Sequence, residues 1–461
     1  MAARLLGWNA RDTLRAVVAA GFLLMLGANL PGHMSYDSAA QLHEGYLGVR
    51  QTWGPPVYAW LLAFFDGVVP GTALYVVASG LLLSLSLVGL ADLGERPSWL
   101  GVAVAALLLV TPQVLIYQAV VWKDVMCANA AVAGGVCLAQ AAHRWSDAPR
   151  RWGFLAAAAV LLALASLVRQ NGVVVVVLLA VALGWIASAG GWRRGLAWGV
   201  GGLVAVLIVA QTISGATRLQ DPGGESSISQ GLQIVQTYDL VGAAAMDPDY
   251  PLDVLARARP DAVEVIRRRS PAVYSGDRVD WITRDRELSA ALTSVHPDLI
   301  ARQWRELVLT EPLLYARVRL EDFRWVFMTP DVDRCMPVYV GIDAPLSKLD
   351  PVGLQTRRTP ADSELANYAS WYLDTPVFSH VAFAVAALLT AGVLLLRRRP
   401  ADIAVAGLLL GGLAFTASFL IVSIACDYRY LYLQDLTAMV GLVYLALHPP
   451  SLGSRRRRAG A

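Results

Sequence analysis

The sequence predicts an all-α polytopic membrane protein of about ten transmembrane helices with one large, mainly helical polar insert. Three observations predict it. Of 461 residues, 56% are hydrophobic and 16% charged, with a mean hydropathy of +0.51, too apolar for a soluble protein of this length. The chain carries repeated apolar runs of about the 17–25 residues that cross a bilayer. Its basic residues fall in alternate loops, the pattern of cytoplasmic loops in membrane proteins. A net charge of +3 gives no basis for nucleic-acid binding.

In order, the spans are read near 14–30, 73–91, 99–116, 125–142, 153–168, 172–190, 195–213, 377–396, 402–424 and 430–448. The apolar stretch 153–190 is broken only by Arg169, Gln170 and Asn171. As one helix it would be roughly 55 Å long, nearly twice a bilayer core, so two spans with a hairpin there are expected. Residues 55–70 are apolar but short and bounded by prolines, either an eleventh span or an interfacial segment. Charge decides. Arg4, Arg11 and Arg15, then the basic stretches 143–152, 192–194, 397–400 and 455–458, fall on one side only if 55–70 does not cross. Residues 31–72 are therefore read as one long external loop with interfacial helices, and both termini as cytoplasmic. The predicted organisation is an N-terminal seven-span module (1–214), an extracytoplasmic insert (215–375) and a C-terminal three-span module with a basic tail (376–461). The insert opens with the turn-rich DPGGESSISQG. Its most regular part is 297–328, where Leu299, Trp304, Leu307, Leu314, Val318 and Phe323 recur at helical spacing with a break before Pro312. That helix is expected at the membrane surface, with Trp, Tyr and Arg at headgroup level.

This topology places every polar feature without an anchoring role on the external face. In SYDSAAQLHEGYL and the two residues after it, Ala39, Leu42, Tyr46 and Val49 follow one helical face, and Asp37, Gln41 and Glu44 another. An amphipathic helix would bury the first set and aim the second at a cavity. Asp is also a preferred capping residue, so a purely local N-cap role for Asp37 stands beside that reading. VWKD opens the fourth span, with Trp122 an interface anchor, Lys123 a snorkelling cation and Asp124 a cap on the local reading. Short external loops are normally poor in Lys and Arg, yet Lys123, Arg169 and Arg429 all lie in them. Charge at the hydrocarbon boundary costs free energy and marks function. Three such cations suit an anionic headgroup such as a phosphate, which Arg grips with two parallel hydrogen bonds. Structural pairing with Asp124, Asp427 or Asp435 is the alternative.

With these residues in view, the chain resembles the GT-C class of integral-membrane glycosyltransferases. The likeness rests on YDSAAQ with WGPP in the first loop, WKD at 122–124, RQNG at 169–172, EPLLYARV at 311–318 and DYRY at 427–430. These motifs are similar to a bacterial branch of the class that uses polyprenyl-phosphate-linked sugars. The first loop departs from the pattern in reading WGPP where a histidine precedes the proline. The resemblance implies a multi-pass protein of the bacterial inner membrane with its site on the periplasmic or outer face. It implies a polyprenyl-phosphate-linked sugar as donor, and a glycan, lipid or protein of the cell envelope as acceptor. It puts the general base of an inverting transfer at Asp37.

The residue types agree with that chemistry. A carboxylate deprotonates the acceptor hydroxyl, and fixed cations receive the charge that grows on the departing phosphate. Asp37 is the candidate base, with Glu44, Asp124 and Asp66 as reserve acids. Lys123, Arg169, Arg429 and Tyr430 are candidates for the donor phosphate, and Gln41, Trp53, Trp122, Gln170 and Asn171 for the lining. No cofactor is assigned. A divalent cation held by paired acids is left open, because residue types without geometry do not establish one. Two rivals remain: a transporter of a lipid or small anion, and a non-catalytic envelope-assembly protein in which the first-loop acid is dispensable. Of four cysteines, Cys127 and Cys137 read as packing residues within a span. Cys335 and Cys426 are the external pair, and an oxidising compartment lets them join.

Overall fold

A computed structural model describes residues 9–220 and 227–450. Arg4, Gly224, Ser454 and the 455–458 cluster lie outside the described residues, as does most of the DPGGESS entry to the insert. Among the described residues the chain is helical, and β pairing is confined to isolated bridges.

Nine described helices are long and apolar enough to cross a membrane: Ala10–Asn29, Ala73–Leu93, Lys123–His143, Ala148–Val168, Gln170–Gly190, Trp192–Ala216, His380–Arg397, Pro400–Val422 and Tyr428–Leu447. The tenth expected span is bent by 70° between Trp99–Leu109 and Pro112–Ala119. The sequence cause is Pro112, which has no N–H to give the preceding turn and disfavours helix at Thr111. The hairpin expected at 169–171 is present. Arg169 is extended (φ −142°, ψ 121°), ending one span before a single 3-10 turn starts the next. Residues 55–70 hold the 13-residue helix Pro56–Val68. At 1.5 Å per residue it is about 20 Å long, short of a roughly 30 Å core.

The helix ends sort into two groups. At one end Arg11 donates to the Gly94 carbonyl (2.9 Å), the Ser98 amide to the Leu447 carbonyl (2.8 Å), and Arg397 to the His448 carbonyl (2.7 Å). At the other, the His33 amide donates to Ala119 (2.9 Å), Val121 to His33 (2.8 Å) and Asn171 to Ser418 (3.0 Å). The first-loop acid, VWKD, RQN and DYR all belong to this second end.

The insert has its own core, in which Tyr238, Leu240, Leu255, Ile266, Leu307 and Val318 are buried. Its regular stretch forms two helices, Pro297–Thr310 and Pro312–Met328, broken at Glu311 ahead of Pro312 as the sequence requires. The expected surface helix is corrected in one respect. Leu307, Leu314 and Val318 point into the insert core, because partner helices cover that face. The later part of the insert behaves differently. Val326, Ile342, Ala344, Leu349 and Ala369 share the core of the spanning bundle. Cys335 and Cys426 are joined in a disulfide, with Cα atoms 4.9 Å apart.

Candidate active site

The site begins with how the first loop is held. His33 is buried, its Nε2 against Asn29 Oδ1 (2.9 Å) and its Nδ1 accepting the Gly341 amide (2.9 Å). Burial pushes the imidazole down to about 4, with Asp362 opposing and Arg357 assisting, so His33 is a neutral strut. Together with the 119–121 backbone it fixes the start of the helix Tyr36–Leu47 beside the start of the span Lys123–His143. Ser35 is the N-cap residue of that first-loop helix, and its hydroxyl accepts from Trp122 Nε1 at 2.9 Å.

Asp37 therefore sits inside the first turn and is not the cap. Its carboxylate receives Arg429 Nη2 at 2.5 Å, while 42% of the side chain stays exposed toward a cavity. Burial alone would raise this carboxyl. Arg429 and Lys123 overturn that and hold it below the usual carboxylate range.

The cavity, of about 310 Å³, has two characters. One side is polar, lined by Asp37, Trp53, Lys123, Arg169, Arg429 and Tyr430, with Gln170 and Asn171 beside them. Arg169 is paired with Asp124 and lies 4.9 Å from the Tyr430 ring centre. Arg429 reaches Asp427 at 3.1 Å and lies 4.8 Å over Trp122 and 5.6 Å over Tyr430. The two guanidinium groups thus share one aromatic ring although 260 positions separate them. Lys123 Nζ lies 4.2 Å over Trp53, and among the described residues it has no ion pair. The other side is apolar: Val168, Phe419, Ile421, Val422 and Ile424 from span ends, and Ile228, Leu232 and Val235 from the insert helix Ser227–Met246. Ile421, Val422, Ile228 and Leu232 are substantially exposed, which makes this side an open apolar slot beside the cations.

The structure brings together Asp37, Trp53, Lys123, Arg169, Gln170, Asn171, Arg429 and Tyr430 of the expected set. It withholds four. Glu44 is buried, accepting backbone amides from Gln51 (2.7 Å) and Thr52, so it secures the loop after its helix. Gln41 packs against Gly54, where an added Cβ would lie 2.5 Å from its amide nitrogen. Both were read as cavity-facing on helical periodicity. The 48–55 loop folds over that face instead. Asp124 is spent on Arg169, and Trp122 lies beneath Arg429 rather than on the cavity wall. Asp66, a reserve acid, receives Tyr46 and the Gly71 amide away from the cavity. Among the described residues no three His, Cys, Asp or Glu side chains are grouped to hold a metal.

Three contributors were not read as site residues from the sequence. Arg278 of the insert donates to Asp427 at 2.8 Å. Trp304 lines the cavity and donates to Asp239 at 2.7 Å. Arg319 is buried between Asp239 and Asp322 and donates to the carbonyls of Ile421 (2.8 Å) and Ser423 (2.7 Å). Burial raises both acids against the opposing pull of Arg319. Together these contacts fasten the insert onto the span end that forms the slot. Within the bundle, buried His380 meets Asp435 (2.8 Å), which also receives Tyr428 (2.7 Å), fixing the turn that carries Arg429.

No protein-family model matches the chain, and no curated protein sequence matches it. Solved structures do. An archaeal oligosaccharyltransferase, AglB from Archaeoglobus fulgidus, in complex with an inhibitory peptide and a dolichol-phosphate, matches with TM-score 0.42 and 12% identity over 94% of this chain and 50% of that one. The chain thus spans about half the length of that protein. ArnT from Cupriavidus metallidurans bound to undecaprenyl phosphate matches with TM-score 0.37 and 17% identity, over 94% of this chain and 77% of that one. The same protein in its apo state gives TM-score 0.35 and 16% identity over the same shares.

Proposed function

We propose that the protein is a membrane glycosyltransferase that moves a sugar from a polyprenyl-phosphate carrier to an extracytoplasmic acceptor with inversion, using Asp37 as general base. The observation that carries this reading is one cavity in which a half-exposed carboxylate faces three cations beside an open apolar slot. The slot suits a prenyl chain lying along the span ends. Lys123, Arg169 and Arg429 suit its phosphate. Asp37, at the polar end, takes the proton of the acceptor hydroxyl as its oxygen attacks the anomeric carbon. The bond from that carbon to the phosphate oxygen breaks, and the charge released passes to the cations. A single displacement from the face opposite the phosphate inverts the anomeric centre. The periplasmic or outer face follows from the same reading, since the basic loops gather at the other end.

The resting contact between Asp37 and Arg429 has a role in this scheme. A donor phosphate competes with the carboxylate for the guanidinium. Binding of donor draws Arg429 away and leaves Asp37 free to accept a proton. The base is thus held back until a leaving group is in place.

Asp37→Asn tests the assignment. It keeps the size of the side chain and removes its basicity, and the helix cap, Ser35, is untouched. Transfer should fall by about a hundredfold to ten-thousandfold, the usual worth of a positioned base. Donor-lipid binding, measured separately, should persist. Near-normal transfer would remove Asp37 from the chemistry.

A further inference from the structure

A second cavity lies within the membrane zone, nearer the basic end and away from the donor site. It measures about 620 Å³ between the spans Ala148–Val168, Gln170–Gly190 and Trp192–Ala216. Its walls are apolar throughout, with Leu155, Ala159 and Leu162 on one span and Trp198, Gly201 and Ala205 on another. Nothing lies within 4 Å of the position a Cβ would take at Gly201, so the groove is open there.

The mouth at the basic end is unlike the walls. Trp152 stacks on Trp198 at 5.3 Å, and both rings line the groove. Arg151 lies over this pair and over Trp145, its guanidinium carbon 5.2–5.7 Å from the three ring centres. One Arg151 nitrogen donates to the Trp145 carbonyl at 2.7 Å, while its buried Nε has no hydrogen-bond partner. Arg194 lies one turn before Trp198, on the row that continues through Gly201 and Ala205. Among the described residues, Arg144, Arg151, Arg193 and Arg194 have no carboxylate partner, and only Arg150 is paired, with Asp147. An apolar groove of ligand size thus ends at a platform of tryptophans carrying unmatched positive charge.

We propose that this groove holds an anionic glycerophospholipid, its acyl chain between the three spans and its phosphate at Arg151. A chain fits the uniformly apolar walls. Basic pockets between spans attract anionic headgroups, and tryptophan rings sit at headgroup depth. The inference is independent of the transferase reading, because it uses no residue of the donor cavity.

Native mass spectrometry on the delipidated full-length protein tests it, with phosphatidylglycerol and phosphatidylethanolamine as the added probes. Phosphatidylglycerol should be retained as a single adduct in preference to phosphatidylethanolamine. Arg151→Gln should weaken that adduct about fivefold. Gly201→Phe, whose Cβ enters open space in the groove, should abolish it. Equal retention of phosphatidylethanolamine, no adduct at all, or an unchanged adduct in Gly201→Phe would each overturn the proposal. Should either variant fail to fold, the comparison of the two lipids on the unmodified protein decides.

Discussion

A base that takes a proton from an attacking hydroxyl must be ionised and also free of competing donors. At rest Asp37 is ionised but occupied, with Arg429 at 2.5 Å across 392 positions of sequence. Its carboxyl is held below its ordinary value of 3.8 by Arg429 and Lys123 acting against burial. The sign follows. Activity that needs the carboxylate persists through the neutral range and is lost only as pH falls through this depressed value. In Arg429→Gln the largest opposing charge is gone, burial gains, and the carboxyl rises. The acid limb of kcat/KM for the donor should therefore lie below the ordinary carboxylate range in the wild type. It should move to higher pH in Arg429→Gln, along with a loss of rate from the weakened site proposed for the phosphate. A limb that stays in place would separate the two residues functionally. Lys123, Arg169 and Arg429 were legible in the sequence because charge at a hydrocarbon boundary is costly and stands out, and Asp37 through its place on the first-loop helix and the family resemblance. Glu44 and Gln41 were misread because periodicity reports which residues share a face, not which loop later covers it. Arg278 and Trp304 were not legible. They are ordinary members of an insert rich in arginine, and only the fold brings Trp304 to the cavity and Arg278 to Asp427.

Individual elements were legible where a local chemical cause acts alone. Arg169 and the polar residues after it end one apolar run and start another, and Pro112 and Pro312 break helices where they stand. The burial of the 326–374 stretch in the spanning bundle was not legible, since it depends on partners far away in sequence. The disulfide lies between these cases. Cys335 and Cys426 could be paired by compartment and elimination, although 91 positions separate them. It ties the returning insert to the segment that leads into Asp427 and Arg429, where Cys426 N also donates to the Asp277 carbonyl at 2.9 Å. Closing so long a loop removes much of the freedom of the unfolded chain. Cys335→Ser should therefore lower stability by about 2–5 kcal/mol. Thermal unfolding of the purified protein checks this. The wild type should lose that increment on adding reductant, and the variant should not respond. Equal sensitivity of both would mean that the bond does not form or does not matter to stability.

At the scale of the whole molecule, the orientation rests on whether the bent segment 99–119 crosses. Nine crossings would place residues 9 and 450 on opposite sides and divide the site loops between them. The hydrogen bonds decide for ten. The Ser98 amide is tied to Leu447 at the basic end, and the Ala119 carbonyl to His33 at the site end, so the bent segment runs from one end to the other. An even count brings both ends of the described chain to the basic end. It also leaves Asp37, Lys123, Arg169 and Arg429 on one side with the insert as their cover. A transporter would place such charges along a path between both faces. Here Asp37, Lys123, Arg169 and Arg429 line a single cavity at one end of the bundle. Single cysteines at exposed Glu95, Ser146 and Thr293, in a chain with Cys127 and Cys137 replaced by alanine, test this arrangement. A membrane-impermeant thiol reagent applied to intact cells should label Thr293→Cys alone. After the membrane is opened, Glu95→Cys and Ser146→Cys should label as well. Glu95 and Ser146 flank the bent segment and one further span, so their responding from opposite sides would contradict ten crossings, and with them the gathering of Asp37, the three cations and the insert on one side.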